Sequence, residues 1–431
     1  MSERPWTAIE LQADGSLRPG RYDFVEGKDG WMIHRNGEEH LALESTYKLL
    51  ATISCGVCAT DLARKFLPFP LPQVIGHEVL AQDEQGQRFV LDINASCLSL
   101  ASHDLCEMCV RRMPTHCRNR LTLGINQLPG GFGPWVLVPP GAMFEVPPEM
   151  PDDTAVLTEP FAAALRAVDT VQIQDGDSVC VLGPRRLGML LIAALDGRRD
   201  EMGRKFNITA MVRRRELEPL ARQMGADDVV LSTDNPLPKF DVVFDTSGNP
   251  QALELAASLA RRELHLKSTH GQGAVGLNQL TGFVVDEFAA HPVSDSDHSV
   301  SDLATVTSSS IGPLGMCPEI LVSSDEEFDR AVRAVDGEEA SWLIPRGRIR
   351  IDRLGTFQSP LLLHIVEREL IVSSSRCGDF AKALKLMNRN GKMRSLGAAL
   401  VSHRFAREDL AAAMSCAASQ DAIKVVVDAE G

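Results

Sequence analysis

The chain has 431 residues, and 44 basic against 58 acidic side chains give a formal charge of −14. That length predicts two or three domains, and apolar and charged shares of 44% and 24% fit a globular chain with a sizeable core. The acidic balance argues against nucleic-acid binding, which needs clustered Lys and Arg, and no apolar run approaches the roughly 18 residues of a membrane span. The start, MSERPWTAIE, has no basic region followed by an apolar one, so the expectation is a cytoplasmic enzyme without a secretory leader.

Residues 1–150 read as short strands between turns, among them TAIELQ closed by ADGS, then YKLLATIS, RFVLDI and PWVLVPP. After about residue 160 the pattern changes. A helix (FAAALRAVDTV) leads into a short apolar strand, SVCVLG, and a second helix, LGMLLIAAL. Strand ITAMV, helix ELEPLARQMGA, strands DVVL and DVVFDTS, and helix PQALELAASLARR follow. Alternating strands and helices predict an α/β domain on a parallel sheet. Residues 271–360 interrupt it with Ser/Asp-rich sequence and one capped helix, SSDEEFDRAVRAV, and read as an insertion. The pattern resumes with strand ELIVSSS, helix DFAKALKLMNRNG and a return ending in AIKVVVD.

Six of the ten cysteines fall between Cys55 and Cys117, and such clustering in a chain without a leader points to metal rather than disulfides. Cys180 and Cys416 sit in apolar patterns and read as small buried residues. Three features suit a catalytic zinc: Cys58 in CGVCATD, His77 in GHE, and Glu159 in TEP. A thiolate, an imidazole and a carboxylate leave the fourth position open for substrate. A second set, Cys106-x2-Cys109-x7-Cys117, reads as a closed structural lobe whose fourth ligand is His103 or Cys97.

These motifs, followed by a glycine loop in an α/β domain, resemble the zinc-dependent medium-chain dehydrogenases of the alcohol dehydrogenase superfamily, on the polyol, sugar and threonine dehydrogenase side. The resemblance covers nearly the whole chain outside 271–360. It implies a GroES-like zinc-binding catalytic domain over 1–160 and 380–431. A Rossmann domain, a doubly wound parallel sheet, would take 161–379 and carry the insertion. It implies that Cys58, His77 and Glu159 hold the zinc and that Glu78 stands behind them or alternates as a ligand. Asp61 would orient the His77 ring, and Thr60 would begin a proton relay from the substrate oxygen. Residues near Phe66, Phe69, Asn126 and Gln127 would line the substrate pocket. The family's spacing of lobe ligands puts His103 where the first cysteine would stand, and so favours it over Cys97. The resemblance also implies a dimer or tetramer built through the strand ELIVSSS, unless 271–360 reshapes that contact.

The loop Gly183-Pro-Arg185-Arg186-Leu-Gly188 stands between strand and helix, where the dinucleotide fingerprint belongs, but its middle glycine is Arg185. Arg185 would either pair with phosphate or crowd the cofactor out. The second strand ends at Val212 without an acid and runs into Arg213 and Arg214, which suit the 2′-phosphate of NADP(H) rather than the ribose of NAD(H). Asp245 would line the crevice, and Arg376, by resemblance, would add a phosphate contact. The expected activity is hydride transfer between NADP(H) and a secondary alcohol or carbonyl compound. The competing reading is a degenerate member that acts through the insertion as an interaction protein. A zinc-free reductase on the same fold would lack Cys58, His77 and Glu159.

Overall fold

The computed structural model describes residues 3–67, 69–268, 273–293, 304–305, 317–332 and 343–429. The chain divides into two compact units, Met1–Ala162 with Asp379–Gly431, and Ala163–Gly378.

The first unit opens with an antiparallel meander of β1 (Glu3–Leu11), β2 (Leu17–Glu26), β3 (Gly30–Arg35) and β4 (Glu38–Glu44). The first turn falls on ADGS: Gly15 takes φ +84°, and the Asp14 carboxylate accepts the Ser16 amide at 2.8 Å. Alternation puts Trp6, Tyr22, Phe24 and Ile33 inside, with the Trp6 and Tyr22 rings stacked 4.7 Å apart. One charge is buried among them. The Glu10 carboxylate accepts from Tyr22 Oη at 2.7 Å and from Arg35 Nε and Nη2 at 2.5 and 2.8 Å. Burial alone would push the Glu10 carboxyl up, but the bonds from Arg35 and Tyr22 hold it below its ordinary value.

The larger sheet is built on β5 (Lys48–Gly56), with β6 (Glu78–Gln82), β7 (Arg88–Leu91), β10 (Trp135–Val138) and β11 (Met143–Glu145). A two-stranded ladder of β8 (Asn94–Ala95) and β9 (Leu121–Thr122) closes the loop that carries the cysteines.

In the second unit the parallel strands β12 (Ser178–Leu182), β13 (Asn207–Val212), β14 (Asp228–Leu231), β15 (Phe240–Asp245) and β16 (Ala260–Leu266) alternate with helices. Helix Pro250–Leu259 starts where Asn249 accepts the Gln251 and Ala252 amides, with Pro250 at its first position. It stops sooner than the sequence pattern suggests. Ala260-Arg261-Arg262 reads as helix, yet these residues open β16, because pairing with β15 outweighs their weak local preference. Cys180 is fully buried as expected, whereas Cys416 is half-buried, out of phase with the inward face of its helix at Leu410, Ala413 and Ala417.

The insertion joins this sheet. Its strands β17 (Ala289–Pro292), β18 (Ala304–Thr305), β19 (Cys317–Ser324) and β20 (Leu343–Thr356) precede β21 (Ile371–Ser374). The sheet order is β14-β13-β12-β15-β16-β21-β17-β20-β19-β18, with β17 antiparallel to β21. The outer edge of the ELIVSSS strand is therefore covered within the chain. The predicted helix of the insertion forms over Asp325–Ala331, capped by the Ser324 hydroxyl. Most of the Ser/Asp-rich run at 292–312 lies outside the described residues.

The chain then returns to the first unit. Helix Phe380–Met387 begins at Asp379, and β22 (Val401–Ala406) and β23 (Lys424–Asp428) complete the larger sheet in the order β11-β7-β6-β5-β23-β22. No described helix is long and apolar enough to cross a membrane.

Arg35→Ala should cost roughly 3 kcal/mol at neutral pH, because it strands a buried carboxylate. The folded Glu10 carboxyl titrates below its unfolded value, so this contribution is present at neutral pH and lost as pH falls through the folded value. Denaturation of both proteins from pH 7 to pH 3 should show the difference shrinking.

Candidate functional site

The strand β5 ends at Gly56, and two residues later Cys58 caps the short helix Ala59–Ala63. Its backbone N–H donates to Asp61 Oδ2 at 2.8 Å, while Asp61 Oδ1 accepts the Gly76 amide at 3.3 Å. The same Oδ1 lies 3.3 Å from His77 Nδ1, close enough for charge attraction, though the ring nitrogen is not aligned for a hydrogen bond. Gly76 supplies the turn before His77: its φ is +98°, and a Cβ there would stand 2.9 Å from Cys55 Sγ and from the Phe132 ring. Cys55 is fully buried, and burial pushes its thiol up, which suits packing rather than ligation.

The ligand atoms of Cys58, His77 and Glu78 all lie within 4.8 Å of one another. Glu159, expected as the third ligand, stands half-buried in the first turn of helix Thr158–Thr170 and outside this group. The carboxylate gathered here is Glu78, because β6 pairs Glu78 with Gly56 beside the end of β5. Sequence reasoning missed Lys424. Its Nζ pairs with Glu78 Oε2 and donates to the Val57 carbonyl at 3.1 Å, with both side chains almost wholly buried. Gly56 makes room, since a Cβ there would fall 2.1 Å from Glu78 Oε2. A lysine at the start of KVVVD carries no local signal of this role.

These residues fit a divalent cation. With its thiol ionised, Cys58 joins Asp61 and Glu78 as three negative charges facing the one positive charge of Lys424, so a dication balances the site. Burial disfavours the His77 imidazolium, yet the charges of Asp61 and Cys58 lift its pKa well above the usual value. Thr60 lies half-buried in the helix turn after Cys58, and Phe66 is 77% exposed.

A second group joins Cys97, Cys106, Cys109 and Cys117, again within 4.8 Å. Cys97 Sγ is 3.4 Å and Cys106 Sγ 3.7 Å from Cys117 Sγ, and all ten cysteines are free thiols. Tetrahedral zinc with Zn–S near 2.3 Å would set its sulfurs about 3.8 Å apart, so the cluster has the size of a zinc shell. His103, favoured on spacing, is exposed and outside the group. The β8–β9 ladder explains the difference: it brings the chain just after Ala95 beside the chain just before Leu121, which places Cys97 against Cys117. The amides of Cys109 and Arg118 overcome burial and draw the Cys106 thiol down to about 6.

In the second unit, Gly183 turns the chain out of β12 with φ +73°, and Arg185 caps helix Arg186–Met202. Gly188 lets that helix approach β15, since a Cβ would meet Thr246 Oγ1 at 2.6 Å. Arg213 is exposed and Arg214 half-buried, directly after β13, where no acid stands. Asp245 is 2% exposed and turns inward: its Oδ1 accepts from the amide and hydroxyl of Ser247 at 2.9 and 2.6 Å. Arg376 is half-buried, and its amide donates to Glu287 Oε1 at 3.1 Å.

No family model matches the chain. Among characterised proteins it is 28% identical over 221 residues to the L-threonine 3-dehydrogenase of Aeromonas salmonicida, a match covering 46% of this chain and 62% of that protein. It is 30% identical over 256 residues to the L-threonine 3-dehydrogenase of Rhizobium johnstonii, covering 55% of this chain and 71% of that protein. The chain thus spans about six-tenths to seven-tenths of the length of these relatives. Solved structures share the fold over nearly the full length. An alcohol dehydrogenase of Escherichia coli CFT073 in complex with NADH has TM-score 0.61 at 18% identity, covering 98% of this chain and 99% of that one. A protein of Sinorhizobium meliloti 1021 described as a zinc-binding dehydrogenase and bound to NADP has TM-score 0.59 at 18% identity, covering 99% and 100%.

Cys97→Ser should remove one equivalent of zinc and lower the melting temperature, and His103→Ala should change neither. Metal analysis and calorimetry of the two variants check this.

Proposed function

The chain belongs to the zinc-type medium-chain alcohol dehydrogenase family, and from that premise we propose that it passes a hydride between a nicotinamide cofactor and a secondary alcohol or its carbonyl partner. The observation that carries this reading is the meeting of half-buried Cys58 with buried His77 and Glu78. A zinc held there supplies a Lewis acid that draws the pKa of an alcohol toward ~7. Cys58, His77 and one oxygen of Glu78 would hold it, with Lys424 on the other oxygen. Asp61 keeps the His77 ring in place, as partners behind metal-bound imidazoles do. The Thr60 hydroxyl would accept the proton of the substrate oxygen and pass it outward. The cysteine lobe would hold a second, structural zinc.

The loop from Gly183 to Gly188 and the start of helix Arg186–Met202 suit a pyrophosphate, since helix N-terminal amides favour anions. Arg185 would add its guanidinium where the fingerprint has glycine. NADP(H) is the better fit than NAD(H), because Arg213 and Arg214 follow β13 in place of an acid. The substrate class is a polyol, sugar or hydroxylated metabolite. A homo-oligomer would need a contact other than the outer edge of β21, which β17 occupies.

Fluorescence titration of the zinc-loaded protein with NADPH and NADH tests the reading. Saturable binding favouring NADPH is expected, and Arg213→Ala with Arg214→Ala should weaken NADPH by about tenfold while leaving NADH little changed. Equal loss for both cofactors would remove the 2′-phosphate role. Cys58→Ser should abolish turnover with the melting temperature nearly unchanged; full activity in that variant would overturn the metal assignment.

A further inference from the structure

Among the described residues, the largest fully buried side chain belongs to Arg64. It follows helix Ala59–Ala63 with helical backbone angles, four residues after Thr60 and so on the same face. Its guanidinium donates to three backbone carbonyls. Nη1 reaches Phe69 at 3.4 Å, and Nη2 reaches Pro70 at 3.0 Å and Ile125 at 2.5 Å. Its Cζ also stands 5.5 Å from the centroid of the Phe69 ring. An apolar side chain fills buried space at lower cost than an ion. What the arginine adds is a grip on two separate loops at once.

The two loops also hold each other. Gln73 Nε2 donates to the Leu128 carbonyl at 2.6 Å, and Gln73 exchanges both backbone bonds with Leu11 of β1, at 2.9 and 3.1 Å. Between Ile125 and Leu128, Gln127 takes φ +67°, a left-handed conformation that a non-glycine residue keeps only when its surroundings impose it. This second loop lies directly on the stretch that leads to His77. The amides of Gly130, Gly131 and Phe132 donate to the carbonyls of Val74, Gly76 and Ile75 at 2.7, 2.8 and 3.2 Å. A Cβ on Gly124 would stand 2.3 Å from the Gly76 carbonyl oxygen, so the two backbones touch.

These contacts close a circuit. Cys58 opens the helix, Asp61 of that helix accepts the Gly76 amide, and Gly76 touches the loop whose Ile125 carbonyl accepts from Arg64. Cys58 and His77 therefore both stand on segments tied to the loop 124–128. The loop is held at a fixed distance from the candidate metal centre, and it carries half-buried Asn126 and exposed Gln127. Arg64 is the one side chain that joins it to the helix of Cys58 and Thr60 and to the loop at 69–70 together.

We infer that Arg64 is a positioning residue that fixes this loop beside the metal centre and so limits the size of ligand that the open metal position accepts. This role rests on the dehydrogenase reading, which needs such an open position. The test loads the parent protein and Arg64→Met with cobalt(II), whose visible bands report its ligand shell, and titrates each with imidazole and with 4-phenylimidazole. In the parent, imidazole should bind about tenfold tighter than its bulky analogue, the scale of forcing extra volume into a packed site. In Arg64→Met that preference should fall by about fivefold, with the affinity for imidazole itself within about twofold of the parent. A variant that is merely less stable would keep the preference, so this readout separates positioning from general support of the fold. If Arg64→Met does not fold, Arg64→Lys gives the same comparison, because an ammonium lacks the planar fork that reaches both loops. An unchanged preference in the folded variant, or equal affinity of the parent for both probes, overturns the role of Arg64 alone. A parent whose bands respond to neither probe lacks the open position, and the dehydrogenase reading falls with the inference.

Discussion

The pairing of Gly56 with Glu78 on one side of β5 and with Val426 on the other sets out the candidate metal centre. Three distant stretches of chain, at 56–58, 76–78 and 424–426, meet because a central strand must satisfy both of its edges. A slip of one residue on either side would turn Glu78 or Lys424 to the opposite face of the sheet. Gly56 is the residue that makes the arrangement possible, since any side chain there would occupy the space of the Glu78–Lys424 pair. The charge balance follows from the register: two carboxylates and a thiol on one spot require compensation, and a single buried lysine supplies part of it.

The second unit obeys a similar rule with different groups. Where the candidate metal centre gathers more negative than positive side chains, the Lys267 ammonium donates to three oxygens of its own sheet. The insertion adds to the rigidity of this half. By laying β17 along β21 it buries a strand that would otherwise be an edge, and the apolar face of Ala290, Ile320, Val322, Ile349 and Ile351 continues the core beneath it.

Much of this was legible in the sequence where the signal was local. The strand-and-turn grammar of residues 1–150, the βαβ alternation after 160 and the clusters at Cys58, His77 and Cys106–Cys117 all depend on residues close in the chain. What was not legible depended on long-range pairing. The choice between His103 and Cys97 for the lobe turns on the β8–β9 ladder, which sets Cys97 beside Cys117. Family likeness points to Glu159, while the β5–β6 register sets Glu78 beside Cys58 and His77. Ala260-Arg261-Arg262 had helix-forming composition, and sheet pairing made it strand. The insertion read as loop from its Ser/Asp-rich run, whereas β19 and β20, which follow that run, join the sheet through long-range pairing.

Lys424 and Lys267 show why buried lysines are hard to read from sequence. Lys424 opens an apolar strand and Lys267 follows one, positions where a lysine ordinarily extends its charge to water. Nothing within a few positions reveals that Lys424 faces Glu78, 346 residues away in the chain, or that Lys267 faces the Ser375 and Arg376 carbonyls more than 100 residues on. Their roles follow from the cost of burial. An ammonium kept from water needs oxygens for its protons, and those oxygens are thereby held in place. The lysine that satisfies its own charge fixes its partners at the same time.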